Sequence, residues 1–233
     1  ELFAELGLDL EKLPNLGFAT DVLGDVNAEA AAETGLAKGS PVAYGSIDGV
    51  AGAAGIAPGE WKCLCNIAGT SDVLLIATQR RKLDPSGRLC CSPNAFRNSW
   101  VVWGAMSTTG AALDWFSRTF YRSSRKTHVE LIEDMWAEAE ASEPGARGLL
   151  FLPYLAGERS PVWNVSARGM LFGLTLSHTR ADIARAIVES IAFGLKHNLD
   201  AISELDIDVS EVRLAGGSVA MQLARQVRAD VIG

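Results

Sequence analysis

The chain has 233 residues, of which 48% are hydrophobic and 21% charged, with a formal net charge of −7. That is enough for one large domain, or one domain and a piece of another. An acidic chain with only one local basic cluster, Arg80-Arg81-Lys82, excludes nucleic acid and anionic membrane surfaces as main partners, and no apolar run approaches the ~20 residues of a membrane span. The acidic, amphipathic start is unlike a signal peptide, so a cytoplasmic protein is the expectation. Four cysteines, at 63, 65, 90 and 91, lack the C-x2-C spacing of zinc sites and lie far in sequence from His128, His178 and His197. No metal ligand is assigned, and reduced, packed thiols are expected.

Residues 1–26 are predicted irregular, with a short helix around Leu2–Leu6 ahead of Pro14. A helix follows Asn27 as N-cap and stops at Gly35. A strand, Pro41–Gly45, leads into Ser46-Ile47-Asp48-Gly49 and a helix-like run of Ala and Gly through Gly55. Trp61–Ile67 and Asp72–Ala77 read as two apolar strands joined by Gly69-Thr70-Ser71. Leu83–Gly87 has turn chemistry, an irregular strand is placed near Leu89–Ser92, and Trp100–Ala105 is a third clear strand. Thr109–Tyr121 and His128–Ala141 carry apolar residues at helical spacing. A short strand, Gly148–Leu152, precedes a connection over 154–173 whose length marks it as functional or an interface. Thr179 and Asp182 form a capping-box pair at the head of a long helix with Ile183, Ile187, Ile191, Leu195 and Leu199 inward. Glu211–Ala215 is a strand, and Gly216-Gly217-Ser218 is predicted to turn directly into the last helix.

Three adjoining strands followed by alternating strands and helices predict an α/β domain. Its mixed sheet is antiparallel first and parallel later, with helices on both faces. This order matches the ribonuclease-H-like fold of actin-type and sugar-kinase ATPases. Two glycine turns within it suit phosphate. At Gly69-Thr70-Ser71 and Gly216-Gly217-Ser218 the backbone can approach an anion closely, and amides at a helix start would face it. The alternative is tight packing turns, with Ser218 as an N-cap. Asp48, at a strand end, can accept a hydroxyl proton during phosphoryl transfer; it can equally cap the helix that follows. Glu158 and Arg159 are expected to pair and order the long loop. Trp100, Trp103 and Trp115 are expected in the core, with sugar stacking open to one of them, and Asp114 is expected to face solvent.

Leu152-Pro-Tyr-Leu-Ala-Gly-Glu-Arg-Ser-Pro161 and the stretch Gly169–Glu189 resemble two signatures of the FGGY family of carbohydrate kinases, in its xylulokinase-like branch. The resemblance runs over essentially all of the chain. It implies that Asp48 is the catalytic base and that Gly69, Thr70 and Ser71 form the turn contacting the transferred phosphate. It also implies that Gly110 lines the nucleotide pocket, and that Gly216 and Gly217 lie near the adenosine and α-phosphate. Met221 falls where relatives contact the base. The cofactors implied are ATP and Mg²⁺. The acceptor is a ketose or polyol, xylulose-like, with no nucleic-acid or membrane partner, and the 154–168 loop offers a surface for a homodimer. On this resemblance residues 1–46 are the tail of an upstream domain, and 47–233 are a C-terminal nucleotide-binding domain, truncated at its end. Such a fragment alone would be inactive.

The chain departs from the family pattern at Ser46-Ile47, where relatives often have two glycines. It departs again at Asp72, whose charge beside a triphosphate would be repulsive unless it turns toward solvent or a cation. Those departures leave a non-catalytic nucleotide sensor or assembly protein on an actin-like fold as the alternative function. A plain interaction domain is a third reading.

Overall fold

The computed structural model describes residues 2–121 and 125–233. Its first part holds a short helix, α1 (Leu2–Glu5), and a two-stranded antiparallel sheet of β1 (Val22–Asp25) and β2 (Pro41–Ala43). Between those strands lies α2 (Ala28–Thr34). The Asn27 carboxamide accepts the Ala30 N–H at 2.8 Å, and Gly35 ends the helix at φ 75°, as the cap signals predict.

The central sheet has five strands: β3 (Cys63–Ala68), β4 (Asp72–Thr78), β5 (Cys90–Pro93), β6 (Trp100–Met106) and β9 (Glu211–Ala215), in spatial order β5-β6-β4-β3-β9. The first four pair antiparallel, and β9 runs parallel to β3. Strand parity assigns the faces. Leu64, Leu74, Ile76 and Val102 point to one side, where they join Phe116, Met135 and Ile187 in the main core. Leu75 and Val101 point to the other, where they meet Val50 of α3 (Asp48–Ile56). Cys63 and Cys65 share that second face and pack on Ala57.

The main face is covered by α4 (Gly110–Phe120), α5 (His128–Ala141), α6 (Arg180–Ser203) and α7 (Gln222–Ile232). The predicted capping box opens α6, with Thr179 and Asp182 bonding each other's backbone. Ile187, Ile191, Leu195 and Ile202 of that helix are fully buried, each contributing about 1.5–3 kcal/mol. Gly104 of β6 and Gly194 of α6 leave room for Asn198 and Met106 where helix meets sheet. Helices thus lie on both faces of a mixed sheet, as expected.

Three local expectations change. The 154–173 connection contains a strand, β8 (Met170–Phe172), which pairs antiparallel with β7 (Leu150–Leu152). Only three residues long, β8 offers too short an alternation to be seen in sequence. The last helix does not follow Gly216-Gly217-Ser218 directly. A 3-10 turn over Gly217–Val219 intervenes, and Met221 is the cap residue of α7, so Ser218 is not an N-cap. Arg225 holds that turn by donating to the carbonyls of Val219 and Ala220. Trp115, finally, is 40% exposed rather than core, its ring stacked on Phe151.

Candidate nucleotide and catalytic site

The β3–β4 connection is a three-residue turn, Gly69-Thr70-Ser71, closed by the Gly69 N–H donating to the Ser71 carbonyl at 3.1 Å. Two glycines from distant segments lean on it. A Cβ on Gly110 would meet the Gly69 carbonyl oxygen at 2.2 Å, and one on Gly216 would meet the Ala68 carbonyl oxygen at 2.1 Å. Gly216 also has φ +109°, a conformation that side chains disfavour. The head of α4 docks by its amides, with Gly110 N–H donating to Gly69 O at 3.2 Å and Ala111 N–H to Thr70 O at 3.0 Å. The carbonyls of the turn are therefore occupied. Among the described residues the Thr70 and Ser71 amides have no protein acceptor. Open space surrounds the Cα of Gly217. Gly69, Thr70, Ser71, Gly110 and Gly216 thus converge at one end of the sheet, with Gly217 beside them.

Asp48 sits on the other face of the sheet, at the first turn of α3. It is the first helical residue and not the cap, which is Ile47 with extended backbone. Its exposed carboxylate accepts the Gly49 N–H at 2.7 Å through Oδ1. Among the described residues Oδ2 has no partner. That free oxygen can take a proton. Gly49 lies over β4, where an added Cβ would be 3.9 Å from Val73 Cγ1, two residues beyond Ser71. The small residues of α3 let it lie close on the sheet: a Cβ on Gly52 would touch Ile67 at 3.4 Å.

Asp72 follows the turn with the opposite parity and points away from α3. It is 0% exposed and meets a cation, with Arg228 Nη2 of α7 at 3.0 Å. Of the two expected alternatives, cation and solvent, it takes the cation.

Ser107, Thr108 and Thr109 join β6 to α4 and tie three segments to the site. Thr109 Oγ1 donates to Asp72 Oδ1 at 2.6 Å, and Thr108 Oγ1 donates to the Pro153 carbonyl. The Ser107 N–H donates to Glu158 Oε1 at 2.7 Å. Glu158 does not pair with the Arg159 side chain. Its Oε1 also accepts the Arg159 N–H at 2.7 Å, while the Arg159 guanidinium donates to the Met106 carbonyl. At 5% exposure the carboxylate is satisfied by one amide fixed just after β6 and by the next amide of its own loop. Run-on hydroxyls after a strand were the sequence signal for this joint. Asp114 also has partners: Arg118 Nε at 2.8 Å and His128 Nε2 at 2.5 Å.

A metal-type grouping exists elsewhere. Glu60, Cys63 and Glu211 come within 4.8 Å of one another. They sit at the starts of β3 and β9, about 16 Å of strand from the glycine turn. The Arg213 guanidinium already bonds both carboxylates. This cluster is an ion-pair network and no part of the site.

A comparison with family profiles matches residues 64–233 to the FGGY family of carbohydrate kinases, C-terminal domain. Among curated proteins, the xylulose kinase of Bacillus subtilis is 33% identical over 97% of this chain and 44% of its own length. The gluconokinase of Bacillus licheniformis is 30% identical over 99% of this chain and 46% of its own length. Among solved structures, a xylulose kinase from Lactobacillus acidophilus superposes with a TM-score of 0.86 at 27% identity, covering 99% of this chain and 46% of that one. A glycerol kinase from Plasmodium falciparum with ADP shares the fold, with a TM-score of 0.80 at 22% identity. The chain spans about half the length of the curated relatives it matches. With the profile spanning most of its length and the sheet and helices superposing throughout, the chain belongs to the FGGY family of carbohydrate kinases.

Proposed function

We propose that this chain is the nucleotide-handling part of an ATP-dependent kinase whose acceptor is a hydroxyl of a ketose or polyol, xylulose-like. The observation that carries the reading is the close approach of Gly110 to the Gly69-Thr70-Ser71 turn and of Gly216 to Ala68 just before it. Among the described residues the Thr70 and Ser71 amides and hydroxyls have no protein partner, and a nucleotide phosphate fits such donors. Bound ATP supplies the phosphoryl group, and Mg²⁺ accompanies it, held mainly by phosphate oxygens and water. Thr70 and Ser71 hold phosphate oxygens, Gly217 leaves room beside the nucleotide, and the Asp48 carboxylate accepts the proton of the attacking hydroxyl. Exclusion of water completes the arrangement, since water competes as acceptor.

In this reading residues 1–46 belong with a preceding sugar-binding domain and 47–233 form the nucleotide domain. The chain alone then turns over no sugar. Four free cysteines fit a reducing compartment such as the cytoplasm. The non-catalytic alternative drew on Ser46-Ile47 and on the charge of Asp72, and the pairing of Asp72 with Arg228 weakens the second of these.

The test uses the full-length natural protein with ATP, Mg²⁺ and a panel including xylulose, gluconate and glycerol, following ADP release. Asp48→Asn is expected to lower kcat by 10³-fold or more while ADP affinity stays within about threefold. Near-normal turnover in Asp48→Asn rejects the base assignment. Nucleotide binding with no acceptor stimulating ADP release rejects the kinase reading.

A further inference from the structure

We propose that Asp72 and Arg228 form a charge-compensated positioning pair for the phosphate turn. On this proposal the affinity for nucleotide depends on Arg228 cancelling the charge of Asp72. The proposal rests on the kinase reading above, since it concerns what that turn holds.

Asp72 is the residue immediately after Gly69-Thr70-Ser71, so its charge is fixed beside any phosphate on the turn. Its Oδ2 accepts Arg228 Nη2 at 3.0 Å and Asn66 Nδ2 at 3.2 Å, and its Oδ1 accepts Thr109 Oγ1 at 2.6 Å. One carboxylate thereby joins β3, the start of β4, the residue capping α4, and α7. These elements carry the predicted turn, Gly110, and the helix that follows Gly216-Gly217. Arg228 is 3% exposed, and its Nη1 donates to the Ala224 carbonyl within α7 at 3.1 Å.

The pair is poorly suited to stability alone. Arg228 Nε and Asn66 Oδ1 are buried with no partner among the described residues, and burying two charges offsets much of their attraction. Its electrostatic effect on a ligand is directional. A carboxylate left alone beside the turn repels a polyphosphate, and a guanidinium left alone attracts it. Together they cancel and hold the turn against α4 and α7.

The sign of the effect separates this role from simple packing. In the full-length protein, Mg²⁺-ADP affinity is measured by calorimetry, with KM values for ATP and for the accepted sugar beside it. Arg228→Gln is expected to weaken ADP about tenfold or more, and Asp72→Asn to bind it as tightly as the parent or tighter. The double variant should return to within about threefold of the parent. KM for sugar should stay within about twofold throughout. Equal weakening by both single variants, a double variant worse than either, or a parallel rise in KM for sugar would overturn the pair's role. Should Arg228→Gln not fold, Arg228→Lys decides with Asp72→Asn. Retained ADP affinity in both supports the proposal, and loss in either defeats it. A parent protein that binds no nucleotide fails the kinase reading before any variant is considered, whereas a parent that binds while the signs are wrong fails only this inference.

Discussion

Gly110 presses its bare Cα against the backbone of Gly69: a methyl there would come within 2.2 Å of the Gly69 carbonyl oxygen and 3.5 Å of the Thr70 Cα. Both partners are backbone, so no side chain can swing aside. Gly110→Ala is expected to push α4 off the turn, costing about 1–3 kcal/mol of stability, as overpacking does. ADP affinity should fall with it. Urea unfolding and an ADP titration check the two together.

Gly216 and Gly217 are adjacent yet should respond differently. Gly216→Ala adds a methyl 2.1 Å from the Ala68 carbonyl oxygen at a φ of +109°, and is expected to cost about 2 kcal/mol or more. Nothing lies within 4 Å of a Cβ on Gly217. Gly217→Ala should leave the thermal midpoint within about 2 °C. If it nevertheless lowers ADP affinity, ligand and not protein occupies that space.

Glu158 organises its loop by accepting two amides, and a neutral amide oxygen can do the same. Glu158→Gln is expected to cost under about 1 kcal/mol. Glu158→Ala strands the Ser107 and Arg159 N–H groups and should cost about 2–4 kcal/mol. Denaturant midpoints for the two variants make the comparison.

Acid should loosen the joint among α4, α5 and α6. The Arg180 guanidinium, donating to Glu138, lowers the Glu138 carboxyl below its usual value; burial opposes this, and the Tyr121 hydroxyl at 2.8 Å adds to it. A carboxylate with a depressed folded pKa stabilises the fold above its unfolded pKa and loses that contribution as pH falls through the folded one. Glu138→Gln should therefore be less stable than the parent at pH 7. Its urea midpoint should fall less between about pH 5 and pH 3. Parallel curves for the two proteins would contradict this.

Cys65 lies under α3, with its Sγ 3.8 Å from the Ala53 carbonyl. Burial, with Cys63 close by, pushes its pKa up to about 12. At pH 8 it should resist alkylation by iodoacetamide in the folded protein and react on unfolding. Since α3 also carries Asp48, the labelling rate of Cys65 measures how often that helix lifts from the sheet. Rapid labelling under native conditions would mean that Asp48 rides on a loosely held element.

Much of this architecture is written locally. Helix caps at Asn27 and Thr179 and the alternation of β3 and β4 all follow from neighbours in sequence. The glycines at 110 and 216 are readable as points of a turn or a helix start, but only three dimensions show that they need their bare Cα against the backbone of Gly69 and Ala68. The pairing of Asp72 with Arg228 spans 156 residues and has no local trace. Glu158 was misread for a related reason. Its adjacent arginine suggested an ion pair, whereas the carboxylate takes the arginine's backbone amide and the Ser107 amide that the fold brings from the end of β6. Met170–Phe172 escaped notice because a three-residue strand is defined by its partner, here Leu150–Leu152.

The joint at Ser107-Thr108-Thr109 has a consequence for tolerated length change. Its consecutive residues engage Glu158, Pro153 and Asp72 in strict succession. Inserting even one residue between Met106 and Gly110 would slip that succession, as adding a tooth spoils a gear. Length variation among related sequences should therefore spare the joint.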